Sequence, residues 1–503
     1  MIKRNKFSLS HYKLLSARMG YLIPIQLTEV LPGDTFQMAT SLFIRLAPMV
    51  APVMHPVHVR VHHWYVPTRL VWEDFEDFIT GGPDGLNQSE VPYGISTGFP
   101  AGSLPDYMGV PVEQAGLRLC SLPMRAYSLI YNEWYRDQDL EDPIPISLKS
   151  GFETTSEIWT LRQVNWECDY FTTSRPWPQK GVAVSVPVNA ADGNNPFQLR
   201  VKDFGSADGP YDVGVHEVAS GSSSYNLLGL NDAPHPAVGT IGTTYLNGTD
   251  IASVDINQLR EAFALQRFEE HRALYGSRYT EYLRFLGIKA SDARLQRPEY
   301  LGGGKQTIQF SEVLQTAPTE NAPVGAMAGH GIGAMRTNRF RRFFEEHGYV
   351  ISLMMVQPVA IYQQGLPRMW QRQVKEDYFQ RELQHIGQQE VWQSELYATK
   401  DNAGSPTDEQ NPGKDRADTP FGFQNRYDEY RWHESSVSGE FRKLLNYWHM
   451  AREFDAPPVL NSSFISGLPT NRIFAAQEND QLYVMASHSI QARRAMAKFG
   501  NPI

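Results

Sequence analysis

"VHVRVHHWYV" (57–66) alternates without a break. Val57, Val59, Val61, His63 and Tyr65 fall on one face of an extended chain, and His58, Arg60, His62 and Trp64 on the other. This is the pattern of a half-buried strand. Working outward, "EVLPGDTFQM" (29–38) sets a turn at Pro32-Gly33-Asp34, and "SLFIRLAPMVAPVM" (41–54) is a β-rich run after it. "GVAVSVPV" (181–188) returns to period two. In "YVISLMMVQPVAIY" (349–362) the strand after Tyr349 is apolar throughout and is expected to be buried on both faces. "LYVMASHSI" (482–490) is the last strand. Strands therefore lie near both ends of the chain, with helices and loops inserted between them. That order predicts a mainly β protein, an antiparallel sandwich in which early and late strands pair.

Composition agrees. Aromatic residues reach 12%, and the 39 glycines and 33 prolines favour a loop-rich β protein over a helical bundle. The 503 residues are ample for a large core, and by length alone for about three domains. The net charge of −9 argues against coating nucleic acid with the whole surface, so any such contact must use local basic patches. Two cysteines, Cys120 and Cys168, make neither a disulfide scaffold nor a CxxC zinc site and suit a reducing compartment. "MIKRNKFSLSH" has no apolar core of a signal peptide, and no run of about 18 apolar residues predicts a membrane span.

Helical spacing marks a few segments. In "AYSLIYNEWYRD" (126–137) Tyr127, Ile130, Tyr131 and Trp134 form one aromatic stripe. "DINQLREAFALQRFEEHRALYG" (255–276) is the longest helix, and Tyr279, Tyr282, Leu283 and Leu286 mark a second one after it. "EFRKLLNYWHMAREF" (440–454) aligns Phe441, Leu444, Leu445 and Trp448 as another. Residues 1–20 read as a basic arm, 319–334 ("ENAPVGAMAGHGIGAM") as a loop, and 400–420 as a polar surface loop. Residues 189–250 are rich in Gly, Ser, Asn and Asp with little periodicity, which points to a surface insertion of turns and short strands.

Tests for chemistry are negative. "GGGKQ" (302–306) has Gln306 where a phosphate loop needs Ser or Thr, and Glu299 where it needs Gly. "GHGIG" (329–333) lacks dinucleotide spacing, and no HExxH or GxSxG occurs. His58 and His62 lie about 13 Å apart along a strand, too far for one metal. The acids of "WEDFEDF" (72–78) and "RDQDLEDP" (136–143) resemble a hydrolase pair only in composition. No catalytic residue, metal site or cofactor is expected.

What remains is interaction chemistry. Lys3, Arg4 and Lys6 near one end and Arg493, Arg494 and Lys498 near the other are candidates for sequence-independent phosphate contact, with Phe7 and Phe499 beside them for base stacking. Arg336, Arg339, Arg341 and Arg342 form a third basic patch. The 24 tyrosines and 10 tryptophans are types that dominate binding hot spots. Candidate subunit contacts are Tyr131, Trp134, Tyr135 and Arg136, at the charged aromatic end of the first helix, with Trp72 and Trp177. On this reading Arg136→Ala impairs assembly and leaves the subunit folded.

"LPMRAYSLIYNEWYRDQDL" (122–140) resembles a signature block of the major capsid protein of microviruses, small tailless icosahedral phages with circular single-stranded DNA. So do "LAPMVAPVMHPVHVRVHHWYVPTRLVWEDFEDFITGG" (46–82), "DYFTTSRPWPQKG" (169–181), "LREAFALQRFEE" (259–270), "SDARLQRPEYLGGGK" (291–305) and "ARRAMAKFG" (492–500). The blocks follow family order along almost the whole chain and are closest to the gokushovirus-like branch. The resemblance implies one eight-stranded antiparallel β-jelly roll over 1–503, with long loop insertions and a helical insertion over 255–290. It implies a homo-oligomeric T=1 icosahedral shell, the virion, assembled in the bacterial cytoplasm around single-stranded DNA. It also implies scaffolding, spike or pilot, and small DNA-binding virion proteins as partners. The 189–250 insertion would be an outward protrusion available for attachment to a host surface receptor. The contrasting reading of the same fold class is a soluble carbohydrate-binding or glycan-hydrolysing jelly roll, which predicts a small oligomer that binds sugar and no DNA.

Overall fold

The computed structural model describes residues 4–181, 184, 200–201, 211–215, 228–230, 244–245, 256–276, 278–288, 291–314, 327–399 and 420–498. Lys3, Phe499, most of the 189–250 insertion, most of the alternating 181–188 stretch and the 400–419 loop lie outside them. Two compact units divide the chain: Met1–Pro178 with Arg272–Ile503, and Gln179–His271.

In the larger unit the main strands are β1 (Asn5–Ser8), β2 (His11–Ala17), β3 (Ile23–Val30), β4 (Thr35–Leu46) and β5 (Val57–Pro67). After a long excursion come β6 (Glu299–Thr307), β7 (Gln309–Leu314), β8 (Met327–Arg336), β9 (Phe340–Phe343) and β10 (Gly348–Pro358). A second excursion precedes β11 (Leu482–Arg494). They make two antiparallel sheets. One is seven-stranded, ordered β1–β11–β4–β8–β7, with β2 also pairing β11 and β9 also pairing β4. The other is four-stranded, ordered β6–β5–β10–β3. The last strand thus pairs with the first two, as the sequence predicts. From Asn5 on, the expected N-terminal arm is strand.

The sheets face each other across a core of alternate side chains. Ile23, Ile25, Leu42, Ile44, Val57, Val59, Val61, Met354, Val356, Val484 and Ala486 are all buried in it. The turn that carries the chain from β3 to β4, and so between sheets, is short. At Gly33 φ is +83°, and Asp34 N–H donates to Leu31 O at 3.0 Å. A hydrogen-bonded chain of buried polar groups joins the two sheets within the sandwich. His63 Nδ1 bonds Ser352 Oγ at 2.8 Å and Nε2 bonds Thr337 Oγ1 at 3.2 Å. Thr337 Oγ1 accepts from Thr40 N–H, and Thr40 Oγ1 bonds His488 Nδ1 at 2.9 Å. Every member has a partner with both imidazoles neutral, which low dielectric demands.

The two sheets differ on their outer faces. The four-stranded sheet is covered again. Trp64, Val66, Ile351, Leu353 and Met355 pack against Met124, Ala126, Tyr127, Ile130 and Tyr131 of helix α1 (Leu122–Trp134). β10 is therefore buried along its whole length, as expected, whereas β5 is covered on both faces in its second half and not half-buried throughout. Among the described residues, the outer face of the seven-stranded sheet carries no such layer. Tyr12 and Leu14 on it are 75% and 78% exposed.

Two expectations need correction. The segment read as a loop over 319–334 contains β8. Its inward positions are Gly329, Gly331, Gly333 and Met335, so hydrophobic alternation is invisible. The glycines are there for close approach: a Cβ on Gly329 would lie 2.2 Å from Ala51 O. The segment 440–454 is not one helix but two 3-10 turns, Gly439–Arg442 and Asn446–Trp448. Its apolar stripe has no continuous surface to dock on, and Leu444 is 73% exposed. The helices expected over 255–276 and after Gly276 are present as α2 (Ile256–Tyr275) and α3 (Tyr279–Phe285). In the smaller unit Arg200–Val201 pairs with Tyr211–Val215 and Thr244–Tyr245, and Leu228–Leu230 with Tyr211–Val215.

Candidate interaction surfaces

The charged aromatic segment is engaged within its own chain. Pro123 opens α1 in its first turn, and the stripe Tyr127, Ile130 and Tyr131 is buried on the four-stranded sheet. Arg125, on the same helix, is 1% exposed. Its Nε donates to Glu153 Oε2 at 2.7 Å, its Nη1 to Val71 O and its Nη2 to Lys149 O, each at 3.0 Å. Beyond the helix, Tyr135 Oη accepts from Trp64 Nε1 at 3.1 Å and bonds His62 Nδ1 at 2.8 Å. Trp134 Nε1 donates to Pro298 O while Arg297 stacks on its ring at 4.3 Å. Arg136 Nη1 donates to Glu141 O at 2.6 Å, and Asp137 and Asp139 pair with Arg175.

The charge beside the rings therefore serves internal pairing at the rim of the core. Tyr131 and Trp72, the latter donating to Ser150 Oγ at 2.8 Å, are buried and offer no surface to a neighbour. Tyr135 is held inside the subunit by its two partners. Trp134, Arg136 and Trp177 remain half-buried, with an accessible part.

The histidines of β5 and the loop before it have partners within the chain. His55 bonds Val359 O, His58 bonds Glu167 Oε1 at 2.7 Å, and among the described residues no cluster fits a metal ion. Burial pushes His55, His62 and His488 down to about 4 and His63 to about 3, so all four are neutral at pH 7.

Folding merges the two terminal basic patches into one. In the β1–β11 ladder Lys6 stands directly opposite Arg493, and Asn5 opposite Arg494. Lys6 and Arg493 point outward and are exposed. Arg4 is exposed too, although its Nη1 donates to Gly33 O and its guanidinium lies over Phe343. Arg494 corrects the sequence reading. It points to the other face, pairs with the buried Asp34 carboxylate at 3.0 Å and donates to Glu29 O at 2.7 Å. Burial pushes the Asp34 carboxyl up, with Arg494 acting against that shift.

The same outer face continues across β2, β11, β4 and β8. Leu14, Met485, Phe43 and Ala334 stand in one cross-strand row, and Ser16, Tyr483, Arg45 and Ile332 in the next. Leu14, Phe43, Arg45, Tyr483 and Met485 line a shallow depression there. The reading of single segments missed this surface, because its members come from four strands. The available signal was the alternation of Ser41, Phe43 and Arg45 against Leu42, Ile44 and Leu46.

Comparison with known proteins supplies the rest. The family model described as "Capsid protein (F protein)" matches residues 1–503. Capsid protein VP1 of Chlamydia phage 1 is 32% identical, over 95% of this chain and 91% of its own. Capsid protein VP1 of Bdellovibrio phage phiMH2K is 35% identical, over 95% and 90%. Capsid protein VP1 of Spiroplasma virus 4 is 28% identical, over 100% and 95%.

Proposed function

The chain belongs to the phage capsid protein (F protein) family, of the gokushovirus type, and from that premise we infer that it is the major subunit of a T=1 icosahedral shell enclosing circular single-stranded DNA. The observation that carries this reading is strand order. β2–β11–β4–β8 facing β3–β10–β5–β6, with β2 to β5 alternating between the sheets, supports an eight-stranded jelly roll. β7 extends the sheet beyond β8, while β1 pairs β11 beside β2 and β9 pairs β4 beside β8. A closed shell needs several distinct contacts per copy, each of roughly 800 Å² per partner. The half-buried Trp134, Arg136 and Trp177 are the candidates for such contacts. The 189–250 insertion lies between β5 and β6 and is assigned to the outward protrusion, with host attachment as its role. The merged terminal patch of Arg4, Lys6 and Arg493 is assigned to packaged DNA, as are Lys3 and Lys498 beyond it in the sequence. Scaffolding, spike or pilot, and small DNA-binding proteins would complete assembly.

The test is sedimentation of nuclease-treated native material with imaging of the fractions. Closed particles of one size holding protected single-stranded DNA are expected. A small oligomer free of nucleic acid, formed in the presence of the phage's other virion proteins, would refute the shell.

A further inference from the structure

We propose that the exposed aromatic face of the second excursion, between β10 and β11, is a contact between two copies of this chain, with Trp370 as its anchor. That assignment rests on the shell reading above and deepens it, by naming a surface that a neighbouring subunit covers.

Three observations carry it. The first is exposure. In "PRMWQRQVKEDYFQ" (367–380) Trp370 is 70% and Met369 62% exposed, and Tyr378 and Phe379 are each about half exposed. Tyr430, also about half exposed, comes to the same face, with Trp432 two residues on. Phe379 N–H donates to Tyr430 Oη at 3.3 Å, and Arg372 lies over the rings of Tyr430 and Tyr378 at 4.4 and 5.2 Å. At about 200 Å² for a whole aromatic side chain, the five rings alone expose roughly 500 Å². A monomer rarely leaves more than a few hundred Å² of apolar surface bare in one patch. One partner's share of a stable contact is roughly 800 Å², and these rings supply more than half of it.

The second is that the face is fixed from beneath. Trp370 closes a 3-10 turn, Arg368–Trp370, whose neighbours are tied to buried groups. Gln371 is buried, donates to Leu366 O at 2.6 Å and accepts from the buried Ser394 Oγ at 2.6 Å. Leu366 N–H donates to Ser394 O at 2.9 Å, and Arg368 Nη1 reaches Glu390 O at 2.7 Å and Glu395 Oε1 at 3.2 Å. Under Phe379 lies the buried ring of Tyr427, 5.3 Å away, whose Oη donates to Glu376 O at 3.1 Å. Tyr427 takes φ +63°, a conformation that residues other than glycine rarely adopt, with its N–H held by Gln389 Oε1 at 3.0 Å. Rings presented on so anchored a backbone lose little conformational freedom on docking.

The third is what can cover it. The 400–419 stretch that follows in sequence holds no Leu, Ile, Val, Met or aromatic residue, so it offers no apolar surface to the rings. The charged residues beside the rings are of both signs: Lys375 and Arg381 alternate with Glu376 and Glu382, and all four are exposed. Such a rim gives a polyanion or a strongly basic protein no net attraction. An aromatic centre with a mixed polar rim is the anatomy of a contact between folded proteins. In a closed shell the neighbour present at every position is a second copy.

The experiment uses the full-length chain, as free subunit and after assembly with the phage's other virion proteins, with hydroxyl-radical labelling read by mass spectrometry. Oxidation of Met369, Trp370 and Tyr378 is expected to fall about tenfold or more in particles, because the centre of a contact excludes water. Assembly from a mixture of nitrogen-14 and nitrogen-15 subunits, followed by an amine-reactive cross-linker, should join Lys375 of one copy to a lysine of a copy of the other mass. Met369→Ser with Trp370→Ser should leave the urea midpoint of the free subunit unchanged and lower particle yield about tenfold or more. Labelling of these side chains in particles at the free-subunit rate would overturn the contact and leave the shell standing. Protection with Lys375 joined solely to another virion protein, or parental yield from the double variant, would overturn it too. If the double variant unfolds early, the labelling of the parent decides. An absence of particles in the presence of the other virion proteins refutes the shell reading, and the contact with it.

Discussion

Removing Arg125 tests how the helix that carries the family's signature block is held. Arg125 and Glu153 have side chains 1% and 0% exposed, in contact at 2.7 Å. Arg125 also supplies donors to Val71 O and Lys149 O, and Glu153 Oε1 accepts from Thr155 N–H at 3.1 Å. Arg125→Met keeps most of the volume and removes every donor. It leaves a carboxylate buried without its counter-charge and two carbonyls unpaired. Breaking a buried pair from one side costs about 3–5 kcal/mol. Met124, Tyr127, Ile130 and Tyr131 share the same docking surface, so the loss should appear as loosening of α1 on the four-stranded sheet. The assay is urea unfolding of the unassembled subunit followed by tryptophan fluorescence, since Trp64, Trp72 and Trp134 report on this layer. Arg125→Met should lower the midpoint strongly. Arg125→Met with Glu153→Met should recover much of the loss, because no charge is then stranded. A single variant as stable as the parent, or a double variant worse than the sum of the singles, would refute the argument.

Acid should destabilise the subunit. His55, His63 and His488 are neutral when folded and titrate near 6.5 when unfolded, so the unfolded chain binds more protons below that value. Their stabilising contribution is complete above about pH 6.5 and is lost as pH falls towards 4, at about 2 kcal/mol each by pH 5. Glu395, pushed up to about 7 by burial, acts in the opposite direction and offsets about one of them. A urea midpoint unchanged between pH 7 and pH 5 would contradict this. Gly329→Ala should cost about 1–3 kcal/mol, because its Cβ meets the Ala51 carbonyl, whereas at Gly333 the nearest atom, Ile308 Cγ1, is 3.4 Å away and Ala should be nearly neutral; comparing the two midpoints checks both. Arg494→Ala strands the buried Asp34 and should lower stability by about 3 kcal/mol, while Arg493→Ala should leave the urea midpoint unchanged. Arg136→Ala, first expected to impair assembly alone, should also lower stability by about 1 kcal/mol through its lost bond to Glu141 O, read as a lower urea midpoint.

The sequence by itself determined the mainly β class, the strands at β5, β10 and β11, the early-with-late pairing, the stripe of α1 and the family. These are carried by local periodicity and by residue types in order, which survive without knowledge of neighbours. Tertiary structure decided which faces are covered. The period-two signal of β5 predicted one buried face, and α1, inserted far along the chain, buried part of the second. The charged aromatics at 134–137 looked available to a neighbour, and Trp64, Pro298, Glu141 and Arg175 engage them internally. β8 escaped notice because glycine at its inward positions leaves no hydrophobic pattern, only a requirement for close approach that Ala51 and Leu46 impose from elsewhere. The basic ends, nearly 500 residues apart in sequence, became one patch because β1 pairs with β11. Arg493 and Arg494 are neighbours of one kind in sequence. The strand's alternation sends the first to the open face and the second to Asp34, a separation that only the register of the ladder can set.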